Sequence, residues 1–369
     1  MTRDRSGRTR LRSAGLLVVA LALASPARPA PAIAAEFSPE MAALIAAAKA
    51  EGGLTLSWGE GTFGGTQGAP LYEQGIKSVF GVDLPIVFTP GSSMPQVGND
   101  IAMREAAGQP SPTDVYVGYA DVLSRLAPRN LFLTAPWQKL LPGRISDGIV
   151  DEGGTLLKVI TALPGIAYNK QLAPSEPKLL TDLLKPEWKG KIAATPYAAN
   201  FDALAANDMW GHDRALDYAR KMSDQIAGLM RCNEGERLAT GEFLAFAITC
   251  NGTDFFDIVR KGAPIVQIPP ADFPALGYFY IAVPKNAVHP NAGKLYVAYM
   301  MTKEGQALIR QTWEMDNDLF PETKAHQLVA DLEHERGRKF ERIDVAWYAQ
   351  HPEAYEAWKE IDKIFTAKK

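Results

Sequence analysis

The chain holds 369 residues, 47% of them hydrophobic and 22% charged, with 39 basic side chains against 42 acidic ones and a formal charge of −3. So even a balance excludes a polybasic grip on nucleic acid or on an anionic membrane surface. The length exceeds one ordinary hydrophobic core, and two lobes are expected.

The chain begins with Arg3, Arg5, Arg8, Arg10 and Arg12, continues with the apolar run AGLLVVALALA over 14–24, and reaches a Pro/Ala stretch ending Ala32-Ile33-Ala34-Ala35. Positive head, short apolar middle and A-x-A exit predict a secretory signal peptide over 1–35, cut after Ala34 or Ala35. The apolar run is too short to span a bilayer. The arginines are spaced, so no twin pair exists and general export is expected; no cysteine near the cut offers a lipid anchor. Removing 1–35 takes away six arginines and Asp4 and moves the balance from −3 to −8. An exported chain with two cysteines, Cys232 and Cys250, suggests one disulfide. It would close a loop of about 19 residues and contribute about 3 kcal/mol; two buried thiols are the alternative.

Ser38 can cap a helix over 38–50 that Gly52-Gly53 stop. Leu54, Leu56 and Trp58 alternate as a strand over 54–58. It breaks into a loop with glycines at 59, 61, 64 and 65, carrying Trp58, Glu60, Thr62 and Phe63. Strand ends of this kind present ligands in α/β sheets; a glycine-rich turn without a ligand is the alternative. Gly59-Glu60-Gly61-Thr62-Phe63-Gly64 also fits the dinucleotide pattern G-x-G-x-x-G, but the next strand, over 84–88, ends in Phe88-Thr89-Pro90 and not in the acid that holds a ribose; Asp83 precedes it.

Helices follow over 70–80 and 95–107, a strand over 114–117 and a short helix over 119–126. This alternation implies a parallel sheet with helices on its faces. The strand over 156–162 runs through Pro164-Gly165 into 166–168, a plausible lobe crossing. Beyond it we expect strands over 192–195, 264–268 and 278–283, and helices over 202–210, 214–222, 291–302 and 304–313. The charged tail from Asp331, with Trp347, Tyr348, Tyr355 and Trp358, is expected to be helix packing on a lobe. No later stretch is apolar enough to span a membrane.

No G-x-S-x-G occurs, and His212, His289, His326, His334 and His351 fall in no metal-binding spacing. No catalytic residue, metal or cofactor is expected.

Three segments carry a resemblance: 179–192 with Trp188-Lys189-Gly190-Lys191-Ile192, 280–292 with His289-Pro290-Asn291-Ala292, and 299–306 with Lys303-Glu304-Gly305-Gln306. In this order they resemble the extracellular solute-binding proteins of ABC importers, the two-lobed family of ferric-ion, polyamine and thiamine binders. The resemblance implies an α/β type II periplasmic-binding-protein clamshell with crossed hinge strands. Lobe 1 would be 36–160 plus 272–320, and lobe 2 161–271 plus 321–369. It implies a periplasmic monomer that closes on a small solute and delivers it to a membrane permease, and not an enzyme. An exported hydrolase or oxidoreductase, or a sensor for a receptor kinase, is the alternative.

By position, the resemblance places Trp58, Glu60, Thr62, Phe63, Ser92, Ser93 and Tyr119 of lobe 1 and Tyr197, Asn200, Asn251 and Asp254 of lobe 2 at the solute. Iron binders of the family carry paired tyrosines where this chain has Asn251-Gly252, which disfavours iron. Aromatic faces with Glu60 and Asp254 would suit a cationic organic solute; Arg231 and Arg237 could instead read a carboxylate or phosphonate. The Cys232–Cys250 disulfide would stiffen one cleft wall.

Overall fold

The computed structural model describes residues 37–197 and 199–367; the expected signal peptide lies outside them. Among the described residues, no helix is long and apolar enough to cross a membrane.

The described residues form twelve strands around two α/β cores: β1 (Leu54–Trp58), β2 (Ile86–Pro90), β3 (Tyr116–Tyr119), β4 (Val150–Asp151), β5 (Leu156–Ala162), β6 (Ile166–Asn169), β7 (Ile192–Ala194), β8 (Ile226–Leu229), β9 (Ala245–Phe246), β10 (Ile265–Ile268), β11 (Ala275–Ala282) and β12 (Glu341–Ile343). In lobe 1 the order is β2-β1-β3-β11-β5-β4. β1 and β2 are parallel, with Leu54 opposite Ile86. A parallel bridge, Leu56 to Val115, joins β1 to the run into β3. β11 lies antiparallel between β3 and β5, and β12 pairs with its start. In lobe 2 the order is β8-β7-β9-β6-β10. There β7 is parallel to β8 and β9, and β6 is antiparallel to β9 and β10.

The two sheets therefore share one plan. In each, the fourth strand arrives from the other lobe and runs against the neighbour on either side of it, β3 and β5 for β11 and β9 and β10 for β6. β5 and β11, the strands on either side of the crossings, are buried at every position, as strands covered on both faces must be. In lobe 2 the alternation is explicit. Ile166, Tyr168, Ile192 and Ala194 face the main core, while Ala167, Ala193 and Phe246 face a smaller one with Met230 and Phe255.

Among the described residues, three segments cross between lobes. Leu163–Gly165 and 269–274 lie together at the hinge, where Leu163 N donates to Asn251 O at 2.9 Å and Thr249 N to Gly165 O at 2.7 Å. The third lies at 343–347, where Ile343 and Trp347 join the lobe 2 core and Val345 that of lobe 1. Residues 321–369, expected in lobe 2, thus divide: Ala325, Val329 and Phe340 belong to the lobe 1 core, and Ala354, Ala357, Ile361 and Phe365 to that of lobe 2.

Local chemistry explains where elements start and stop. Ser38 Oγ accepts from Met41 N at 3.1 Å and Gly52 ends that helix at φ +76°. The second helix, Gly65–Phe80, starts five residues before the expected Pro70, because the Glu60 carboxylate satisfies its first turn. The helix expected over 202–210 stops at Leu204. There the chain turns, and Trp210 Nε1 donates to Asp272 O at 2.6 Å.

Candidate functional site

The strand ends that the resemblance placed at the solute do not all reach the surface. Trp58 is 4% exposed and Phe63 1%, and Thr62 is buried beside them. Trp58 Nε1 donates to Thr62 O at 3.0 Å. Its ring meets Phe63, Phe88 and Tyr296 at 5.6–6.2 Å, and Phe63 stands edge-on to Trp313 at 5.0 Å. The expectation that Trp58, Thr62 and Phe63 line the cleft is corrected accordingly: they are lobe 1 core. The glycines explain the inward turn. A Cβ at Gly65 would fall 2.2 Å from Glu60 O, and one at Gly68 2.0 Å from Phe63 O, so the loop packs against the helix start as no larger residue could. Gly65 and Gly68 serve that approach.

Glu60 is exposed and caps the same helix: Oε1 accepts from Thr66 N at 2.9 Å and Oε2 from Thr66 Oγ1 at 3.0 Å. Ser92 is exposed at the end of β2. Ser93 caps the helix Met94–Ala106, its N and Oγ both donating to Gln96 Oε1. These three remain at the lobe 1 surface, with two already engaged in capping.

Tyr119 and Asn200 meet across the lobes. The Tyr119 ring stands edge-on to Phe279 at 5.0 Å and over Gly277, where a Cβ would fall 1.9 Å from its hydroxyl. That hydroxyl donates to Asn200 Oδ1 at 3.4 Å. Asn200, at φ +61°, is fixed from behind: Nδ2 donates to Thr249 O at 2.9 Å and Cys250 O at 3.1 Å.

Around them stands a wall that the disulfide ties together. Cys232 and Cys250 are bonded, with Cα atoms 6.1 Å apart. Tyr197, 38% exposed, accepts from Cys232 N at 3.4 Å and lies 3.6 Å from Cys250 Sγ. Asn251 Oδ1 accepts from Thr253 N at 2.7 Å. Asp254 Oδ2 accepts from Asn251 N at 3.0 Å and Gly252 N at 3.2 Å. Asp254 thus shapes the turn, and burial pushes its carboxyl up to about 6. Cys232, Cys250 and Asp254 gather closely enough to suggest a metal site, but disulfide sulfurs cannot serve as thiolate ligands.

The arginines separate. Arg237 pairs with Glu242 at 2.6 Å and Glu234 at 3.2 Å and lies over Phe243, so it is already engaged. Arg231 is exposed, with no side-chain ion pair among the described residues.

Three residues that sequence reasoning passed over join this group. Asp121 opens the helix Ala120–Leu126 and pairs with Arg125 at 3.2 Å. It keeps about a third of its side-chain surface, yet burial raises its carboxyl. Asp202 is 7% exposed and accepts from the Tyr348 hydroxyl at 2.9 Å. Burial first, then the charge of Asp121, pushes its carboxyl up to about 6. Tyr348 packs against both cores. A weak signal was present: Tyr119-x-Asp121 and Asn200-x-Asp202 repeat one spacing at the start of two helices. Two surface hollows, about 260 Å³ beside Glu73, Lys77 and Asp83 and about 210 Å³ beside Trp210, Arg214 and Arg338, contain none of these residues.

Comparison with known proteins agrees with this plan. The family described as bacterial extracellular solute-binding protein matches residues 111–346. No curated protein sequence matches the chain. Among solved structures, iron-bound HitA from Pseudomonas aeruginosa is 19% identical with a TM-score of 0.62, covering 84% of this chain and 99% of its own. The spermidine/putrescine-binding PotD from Streptococcus pneumoniae is 14% identical with a TM-score of 0.59, covering 84% and 99%. AfuA from Actinobacillus pleuropneumoniae, with fructose-6-phosphate bound, is 20% identical with a TM-score of 0.56, covering 72% and 85%.

Proposed function

The chain belongs to the bacterial extracellular solute-binding proteins, and from that premise we propose that it is the substrate-binding component of an ABC importer, taking one small solute between its lobes and passing it to a membrane permease. The observation that carries this reading is the contact of Tyr119 with Asn200, at which strand ends of two like-ordered sheets meet. Side chains from two lobes converge only in a cleft. The solute enters an open form, and its higher affinity for the closed form drives closure. The solute leaves unaltered. The protein acts as a monomer in the periplasm after loss of residues 1–35.

The proposed solute is a small organic cation. Asp121, Asp202 and Asp254 bring carboxylates to the meeting of the lobes, and Tyr119, Tyr197 and Tyr348 bring ring faces. Arg125 is already held by Asp121. Such a surround favours an ammonium through ion pairing and cation–π contact. Glu60, Ser92, Ser93 and Asn251 stand at the rim. PotD, a polyamine binder by description, shares the fold. Arg231 supports a second reading: an exposed guanidinium beside the disulfide suits a carboxylate or phosphate, and AfuA holds a sugar phosphate.

Native mass spectrometry of the purified protein tests the solute, since tight binders leave the cell loaded. An amine-bearing adduct supports the first reading; an acidic one overturns it in favour of the second. Solution scattering tests the mechanism: the radius of gyration shrinks on adding the recovered solute, and an unchanged radius at saturation refutes closure. Recovery of a chemically altered solute would overturn the transport reading in favour of an enzyme.

A further inference from the structure

Two residues beyond each partner of the Tyr119–Asn200 contact stands a carboxylate, Asp121 in lobe 1 and Asp202 in lobe 2. Each opens a short helix, Ala120–Leu126 and Phe201–Leu204. The two are close enough for the charge of Asp121 to act on Asp202, and Asp202 is nearly sealed from water. Like charges this near oppose one another, the more so where one of them is poorly solvated.

Tyr348 decides how they face. It lies just past the third crossing and packs against both cores. Its hydroxyl donates to Asp202 Oδ2, which fixes the carboxylate while the ring bridges the lobes. The groups around Asp202 come from several elements. The helix Ala120–Leu126 supplies Asp121 and its partner Arg125, whose guanidinium also lies 5.5 Å over the Tyr355 ring. β3 supplies Tyr119, on which Asp254 acts as well. The helices His212–Gln225 and Pro352–Thr366 present Tyr218 and Phe365 to Phe201. Only Arg125 is cationic in this set, and it is held by Asp121.

We propose that Tyr348 is a positioning residue that holds Asp202 against Asp121, and that this pair, one carboxylate per lobe, resists closure until a proton or a cationic group of the solute sits between them. The proton trigger rests on the Tyr119–Asn200 and Tyr348–Asp202 contacts and on the influence of Asp121 on Asp202; the solute trigger rests on the cationic reading above. An ionised, solute-free pair keeps the lobes apart, and a neutralised pair lets Tyr119 reach Asn200.

Small-angle scattering on the purified protein, freed of solute by unfolding and refolding, tests this at pH 8 and pH 5. The wild-type radius of gyration falls on acidification, with a midpoint set by Asp202. Asp202→Asn is compact at both pH values. Tyr348→Phe keeps the ring between the cores but withdraws the donor from the ionised carboxylate, so the midpoint rises by about one pH unit. A purely structural tyrosine would lower the melting temperature and leave that midpoint alone. A wild-type radius unchanged between the two pH values, a full pH response in Asp202→Asn, or an unmoved midpoint in Tyr348→Phe each overturns the proposal. Every arm is solute-free, so a wrong assignment of the solute does not affect the result.

Discussion

Gly165 lies so close to Ile268 that a Cβ on the glycine would fall 2.0 Å from the Ile268 carbonyl oxygen and 2.9 Å from Pro269 Cα. The first two crossings between the lobes therefore touch backbone to backbone. Gly165→Ala forces them apart. We expect a loss of about 1–3 kcal/mol, read as a lower melting temperature, together with an altered radius of gyration in the solute-free protein. An alanine variant that melts and scatters like wild type would show that the crossings are not in contact in solution.

Trp58 is a core residue, and its replacement should act on stability. Trp58→Ala removes ring contacts to Phe63, Phe88 and Tyr296 and the bond to Thr62. A loss of about 3–5 kcal/mol is expected. Trp58→Phe keeps most of the packing and should cost far less. Calorimetry of the solute-free protein separates this from a direct role: a stable Trp58→Ala that has lost only affinity would return Trp58 to the cleft.

The sheet plan was legible because its strands announce themselves. Leu54–Trp58 and Leu156–Ala162 are found where alternation and apolar runs placed them. β8, four residues running straight out of a helix at a sheet edge, gave no such signal. The cleft was harder to read. The family pattern places Glu60, Ser92, Ser93, Tyr119, Tyr197, Asn200, Asn251 and Asp254 at the solute by position, but whether a strand end faces in or out depends on residues far along the chain. Trp58 turns inward against Tyr296, and Phe63 against Trp313. Tyr348 reaches Asp202 from 146 residues away, inside a charged tail whose local pattern says only helix.

The disulfide should contribute to stability and shape alike. It spans 18 positions, and the double variant Cys232→Ser/Cys250→Ser is expected to lose about 3 kcal/mol. Cys250 O also anchors Asn200, and Cys232 N anchors Tyr197. Reduction should therefore raise hydrogen exchange at Tyr197 and Asn200 more than in lobe 1. Uniform exchange changes across both lobes would show that the bond stabilises the chain without shaping the wall.

Asp202 and Asp254 set a pH dependence of known sign. Both carboxyls are raised from 3.8 to about 6, chiefly by burial. Between those values the native chain binds more protons than the unfolded one, so their penalty is full above about pH 6 and is relieved as pH falls toward 4. Asp202→Asn should raise stability at pH 7.5 by about 1–3 kcal/mol and converge on wild type near pH 4. A gain that persists undiminished at pH 4 would mean that Asp202 is neutral, or absent from the linkage, throughout.

Lys158 is the charge on which the third crossing depends. It sits mid-strand in β5, 6% exposed. Nζ pairs with Asp344 at 2.9 Å and Asp151 at 3.4 Å and donates to Gly148 O at 3.1 Å. Asp344 caps the helix that carries Tyr348, accepting from Trp347 N at 2.8 Å, and Tyr280 donates to Asp151 at 2.5 Å. Lys158→Met keeps the stem's packing and strands two carboxylates, at a cost of about 3–5 kcal/mol. Burial already raises the Asp151 carboxyl, and Lys158 is among the groups that hold it down. Without the lysine it rises further, so the defect should shrink as pH falls and Asp151 takes a proton. Melting curves of Lys158→Met at pH 7.5 and pH 5 measure this directly. A defect equal at both would mean that the lysine acts through packing and not through charge.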